Sequence, residues 1–199
     1  MIEKVQQDVL AQFAHSAEAY CRLLETHTHL SDEVFTQQCA AALAAVYRDA
    51  LALPESHTLP QLNPDCAETA AIYETNFSNP FVHEQVEERF TAHNVDRHWC
   101  YADPFDPESS LTVRVSDDLD EIYTSLRKGL ALYHLGTDCA LLYAAFEWQF
   151  GWFSHWGSHL AQALHVLHQI IMDDQRATLK AKVHATTQEH AGGDDAGVD

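Results

Sequence analysis

The stretch Phe146-Glu-Trp-Gln-Phe-Gly-Trp-Phe-Ser-His-Trp-Gly-Ser-His-Leu160 decides the fold class. No lysine or arginine lies between Lys128 and Arg176, and Glu147 is the only acidic side chain between Asp138 and Asp173. Trp148, Trp152 and Trp156 recur at i, i+4 and i+8, with Leu141 one heptad before them and Leu160 one turn after, which is the spacing of a single helix face. A helix-periodic run so poor in charge predicts the central buried helix of an all-α domain. It should run from Asp138 to His168 or beyond, about 50 Å if it stays straight at about 1.5 Å per residue. Glu147, Gln149, Ser154 and five histidines from His134 to His168 interrupt it too often for a membrane span. Gly151 and Gly157 each cost about 1 kcal/mol in a helix, and so predict a close approach by neighbouring backbone.

Outward from this stretch the helix signals continue. Val9, Phe13, Ala17, Tyr20 and Leu24 mark a first helix over Val5 to Glu25. Ser31 is an N-cap with Asp32 and Glu33 in the first turn, and Leu30 with Phe35 holds the two staple positions of a second helix that ends before Pro54. The proline-rich run Pro54 to Asp65 reads as an irregular connection inside the domain. Asn79-Pro80 starts a third helix carrying Val82, Val86 and Phe90, reaching about His93. From Val95 to Val115 the period is lost, predicting an extended, aromatic-rich loop with Asp-Pro turns. Ser116-Asp-Asp-Leu-Asp-Glu121 opens another helix, with Leu119, Ile122, Leu126, Leu130 and Tyr133 on its buried face and Gly136 at its close. The expected fold is a single all-α bundle of about six helices over residues 1–173, with a polar, frayed or disordered tail over 174–199.

The 199 residues include 30 acidic and 11 basic side chains, a formal charge of -19, so contact with nucleic acid phosphates or an anionic membrane begins from repulsion. A basic protein is the expected partner, with no direct nucleic acid and no membrane. Cys21, Cys39, Cys66, Cys100 and Cys139 form no Cys-x-x-Cys pair, and an odd number outside any framework points to small core fillers in a reducing compartment. Met1 to Leu10 lacks the basic cap and apolar run of a signal peptide. A soluble, cytoplasmic protein is expected.

Phe105-Asp-Pro107, Asp117-Asp-Leu-Asp-Glu-Ile-Tyr123, Glu147-Trp148 and Ser154-His-Trp-Gly157 together resemble a family of uncharacterised bacterial proteins, domain of unknown function 5063. The resemblance covers roughly Phe13 to His168 and is most specific in its last block. Family members often carry arginine where this chain has Gln149 and Ser158, so a site built on those arginines is altered here. The family has no assigned activity, so the resemblance implies a fold and no chemistry.

No nucleophile elbow, phosphate loop, dinucleotide fingerprint or closed metal-ligand set occurs, and no cofactor is implied. His155 and His159 stand four apart, about 6 Å along a helix axis, as paired zinc ligands do. Trp156 occupies the position where the metalloprotease pattern needs its glutamate. Asp118, Asp120, Glu121, Glu87, His93 and His98 are the available further ligands. The simpler reading, neutral hydrogen bonds between helices, is favoured, and metal at His155 and His159 is not. Glu147 in an apolar helix needs a partner, either an arginine (Arg127, Arg114 or Arg48) or a tyrosine; its functional alternative is acid/base chemistry with a histidine. The tryptophan stripe is read as core rather than as a stacking site for a ligand.

These readings lead to a non-enzymatic binding or adaptor module that engages a basic partner through its acidic surface, with Trp99, Tyr101 and Phe105 as contact residues. The alternative is a metal-dependent or acid/base enzyme whose catalytic residues are Glu147, His155 and His159. A third possibility, a DNA-mimic inhibitor, needs acids arrayed on one surface, and here they are spread along the chain.

Overall fold

Hydrophobic residues at helical spacing, several of their runs opened by a capping side chain, build most of the architecture. The computed structural model describes residues 4–55, 66–92, 97–101 and 110–191. The described elements are α1 (Lys4–Thr26), a 3-10 turn (His27–His29), α2 (Asp32–Ala50), α3 (Ala67–Tyr73), α4 (Pro80–Ala92), β1 (Arg97–Tyr101), β2 (Ser110–Arg114), α5 (Val115–His134), α6 (Asp138–Ser154) and α7 (Trp156–Ala191). The fold is an all-α bundle carrying one two-stranded ribbon. No described helix is long and apolar enough to cross a membrane.

The starts follow the caps. Ser31 Oγ accepts from the Val34 N–H at 3.3 Å, and Asn79 Oδ1 from the Val82 N–H at 3.4 Å, each satisfying an amide that the first helical turn leaves without a carbonyl. Gly136, at φ 70°, takes the left-handed backbone that stops α5. Helix α5 packs on α1, α3, α4, α6 and α7. Its Leu119, Ile122, Leu126 and Leu130 join Phe13, Tyr20, Phe35, Leu43, Trp148, Trp156 and Leu160 in one core. The buried Tyr20 hydroxyl donates to the Leu119 carbonyl at 2.8 Å, tying α1 to α5.

The structure corrects several expectations. Part of the segment over Val95 to Val115, expected as a loop, forms the antiparallel ribbon, with Arg97 opposite Arg114 and Tyr101 opposite Ser110. Its residues, His-Trp-Cys-Tyr on one strand and Leu-Thr-Val on the other, suit a pleated surface. The connection 102–109, which holds Phe105 and the Asp-Pro turns, lies outside the described residues, as do most of the Pro54 to Asp65 run and the segment 192–199.

The tryptophan stretch is not one rod. It breaks at His155, whose φ -149° and ψ -91° leave the helix, and α7 restarts at Trp156. Gly151 makes room: a Cβ there would sit 2.6 Å from Trp156 Cδ1, and one at Gly157 would strike the Trp152 carbonyl. Trp148 and Trp156 are fully buried, with Phe13 between them at ring distances of 4.9 and 5.9 Å. Trp152 is only partly buried, edge-on to Tyr47 at 5.1 Å. Phe150 and Phe153, expected in a buried helix, are 54% and 86% exposed. They lie off the tryptophan stripe. Helix α7 continues past Asp173 to Ala191, so much of the polar tail is helix.

The cysteines also need correction. Cys66 and Cys139, 73 residues apart, are joined as a disulfide, while Cys21 and Cys39 are free and buried. A pairing made through space leaves no spacing signature in the sequence.

Candidate functional site

The first two turns of α5 place Asp117, Asp118, Asp120 and Glu121 together, and α4, the break between α6 and α7, and α7 bring histidines to them. His159 Nδ1 lies 2.7 Å from Asp118 Oδ1, and His155 Nε2 lies 3.1 Å from Glu121 Oε2. The two imidazoles meet edge to face with centroids 5.0 Å apart. Asp118 is buried and His159 about a third exposed. The hydrogen bond from His159 to Asp118 raises the histidine's pKa above its ordinary value, with burial opposing and the charges of Asp118 and Glu121 adding to the rise. The histidines thus bridge helices as expected, but to carboxylates, and for His159 the bridge favours the charged imidazolium over the neutral ring.

On the other flank of α5, His83 of α4 has Nε2 3.7 Å from Glu87 and 3.9 Å from Asp117, with Nδ1 3.9 Å from Asp120. Arg114 pairs with Glu87. Burial raises the Asp120 carboxyl above its ordinary value; His83 counters this, and the charges of Glu121 and Asp117 reinforce it. Three histidines and one arginine therefore stand among five carboxylates, and Asp117 and Glu121 remain about half exposed.

Glu147 belongs elsewhere. Its Oε1 accepts from the Tyr73 hydroxyl at 2.7 Å and its Oε2 lies 2.9 Å from Lys128 Nζ, which sits 4.3 Å above the Tyr73 ring. Burial, then the Glu147 hydrogen bond, raises the Tyr73 phenol. This is the expected tyrosine partnership, with Lys128 in place of an arginine. Glu147 is thus not brought to His155 and His159, which are held by the first turns of α5, two turns before Lys128.

Among the described residues, the group of three or more His, Cys, Asp or Glu side chains whose donor atoms lie within 4.8 Å of one another is Cys66, Glu68 and Cys139. His155 and His159 are not part of it. His93 lies outside the described residues, and Trp99, Tyr101 and His98 lie in β1. A groove of about 830 Å³ between α2, α4 and α7, lined by Asp32, Arg89, Phe90, Ile170 and Lys182, contains none of the candidate residues.

The sequence matches the family described as Domain of unknown function (DUF5063) over residues 4–173. The chain belongs to that family. A crystal structure of protein BF1032 from Bacteroides fragilis, a structural-genomics target, is similar to this DUF5063 chain with a TM-score of 0.61 and 17% identity, covering 81% of this chain and 93% of that one. Likeness at that identity speaks to the fold alone. No curated protein matches the chain.

Two features of this DUF5063 chain escape a reading by sequence. One is the exposed apolar edge of Leu51, Phe150 and Phe153, 66%, 54% and 86% exposed. Its signal was that Phe150 and Phe153 fall between the tryptophan positions. The other is Cys66 with Cys139 and Glu68, for which no local pattern exists. Of the two positions where family members often carry arginine, Gln149 lines a cavity with Leu51, Leu53 and Phe153, and Ser158 bonds back to the His155 carbonyl at 2.7 Å.

Proposed function

We propose that this protein is a non-enzymatic binding or adaptor module that engages a basic protein partner through the acidic face formed by α4, the first turns of α5 and the start of α7. The observation that carries this reading is the crowding of Glu87, Asp117 and Asp120 around His83, with burial and the like charges of Glu121 and Asp117 holding Asp120 above the usual carboxylate range. Carboxylates so close together gain when an incoming lysine or arginine reaches them. Strand β2, paired with β1, runs directly into α5, and in this reading Trp99 and Tyr101 of β1 serve with Phe105 as the aromatic contacts. We assign the protein to the cytoplasm, where the Cys66–Cys139 bond would respond to redox conditions.

Acid/base chemistry on Glu147, His155 and His159 has weaker support, because Glu147 is engaged by Lys128 and Tyr73. Mimicry of DNA has weaker support still, since histidines and Arg114 interrupt the acidic face.

Attraction of a basic partner is screened over about 8 Å at physiological ionic strength, so capture should fall steeply with salt, while aromatic contacts add a salt-insensitive part. Capture from a bacterial lysate at low and high salt, with wild type and Trp99→Ala, reads both. A basic protein retained at low salt, lost at high salt and weakened by Trp99→Ala is expected. No captured protein at low salt, or one indifferent to both changes, would sink the reading.

A further inference from the structure

The fold brings a third donor to the Cys66–Cys139 pair. Cys66 immediately precedes α3, and Cys139 stands in the first turn of α6, one residue beyond Asp138 and two beyond the N-cap Thr137. Glu68 Oε1 lies 3.7 Å from Cys66 Sγ, and the two sulfurs and this oxygen all lie within 4.8 Å of one another. The Thr137 hydroxyl donates to that same oxygen while Thr137 Oγ1 caps α6 by accepting from the Ala140 N–H at 3.2 Å. The carboxylate is thus aimed by a group whose own position is fixed.

A disulfide offers nothing to an anionic carboxylate, and two thiolates would repel it. A divalent cation among the three reverses the sign. The spacing suits such an ion: bonds of about 2.3 Å to sulfur and about 2.1 Å to oxygen at a tetrahedral angle put the two donors about 3.6 Å apart. The 6.5 Å between the cysteine Cα atoms lies towards the wide end of the disulfide range of about 4.4–6.8 Å, and two sulfurs sharing one zinc-like ion need to stand only about 3.8 Å apart.

We propose that Cys66, Cys139 and Glu68 form a binding site for a thiophilic divalent cation of the zinc class, and that the disulfide is its oxidised, metal-free state. A dithiol reductant supplies two electrons and two protons: the Cys66–Cys139 bond breaks, the reductant's own disulfide forms, and both cysteines become thiols. The cation then displaces both thiol protons to solvent and is held by two thiolates and one carboxylate, with a fourth position open to water. Glu68 is exposed and Cys139 half-buried, so the ion has a way in. Cys21 and Cys39 do not compete, because both are buried and burial pushes their thiols up, Cys39 to about 12. The site is separate from the acidic face and stands whether or not the partner reading does.

The test uses the full chain, reduced with a phosphine and titrated without oxygen with Co2+, whose tetrahedral thiolate complexes are coloured. One cobalt per chain is expected, with a thiolate-to-cobalt band, displacement by Zn2+ and no uptake once the pair is reoxidised. Cys139→Ser should remove the band's two-thiolate intensity. Glu68→Gln, at an exposed position that does not burden folding, should weaken cobalt binding by about tenfold or more. His155→Ala with His159→Ala should bind cobalt as wild type does. The proposal is overturned if the fully reduced chain gives no thiolate-to-cobalt band, if the band survives Cys139→Ser unchanged, if Glu68→Gln binds as tightly as wild type, or if the histidine double variant loses the ion.

Discussion

Two histidines tie stability to pH in opposite directions. His27 is 1% exposed, stacked on Phe35 at 4.6 Å, and neither ring nitrogen has a hydrogen-bond partner among the described residues. Burial, helped by the Arg89 charge, lowers its pKa to about 4. Neutral His27 therefore contributes stability that is present above its unfolded value of 6.5 and is lost as pH falls towards about 4. His159 runs the other way: its contribution is complete below 6.5 and disappears as pH rises through its raised folded value. Urea midpoints measured from pH 8 to pH 4 should show His27→Leu flattening the acid-side loss and the penalty of His159→Gln shrinking at high pH. A wild-type acid limb in His27→Leu would contradict this account of the residue. At this scale the sequence was informative wherever partners are local: the Ser31 and Asn79 caps are where their neighbours predict them. Glu147 declared its need for a partner by sitting alone in an apolar run, but Lys128 and Tyr73 come to it from other helices, and the disulfide has no local mark at all.

Helices α5 and α6 meet through Gly129 and Trp148. A Cβ at Gly129 would overlap the Trp148 indole, which is fully buried and has Phe13 and Tyr133 against it at 4.9 and 5.8 Å, so the ring has nowhere to go. Gly129→Ala should then destabilise by about 1–3 kcal/mol through overpacking. Trp148→Ala should cost about 3–5 kcal/mol through lost burial and a cavity. Trp148→Phe should cost clearly less, because the indole N–H has no acceptor among the described residues and its removal relieves a buried, unsatisfied donor. Chemical denaturation of the three variants orders them, and a near-wild-type Trp148→Ala would mean that this indole is not core. The tryptophan spacing predicted a buried stripe, and Trp148 and Trp156 occupy it. It could not reveal the break at His155, because the restart at Trp156 keeps that indole on the core side and the spacing survives. The ribbon was missed for a related reason: two five-residue strands make too short a period to stand out between Asp-Pro turns.

At the scale of the molecule, the charge of -19 was plain from composition, but not where it gathers. Helix α4, the ribbon, the α6–α7 break and α7 come together only in the fold, and they surround the first turns of α5 with His83, Arg114, His155 and His159. The all-α class was legible because the core-facing runs carry a helical period, and several of them a capping residue as well. Function was not, because the candidate residues meet their partners across helices rather than within a motif. The proposed partner surface rests on the position of its charges and not on their total. Two variants of equal net charge separate these: Asp117→Lys with Glu121→Lys on the proposed face, and Asp8→Lys with Asp174→Lys on exposed turns of α1 and α7. Binding of the captured basic partner is measured by calorimetry at physiological salt, with both variants first shown to unfold cooperatively. We expect the face variant to lose at least about tenfold in affinity, in line with about 1.4 kcal/mol per tenfold, and the control to stay within about twofold of wild type. Equal losses in the two variants, or a loss confined to the control, would contradict the account.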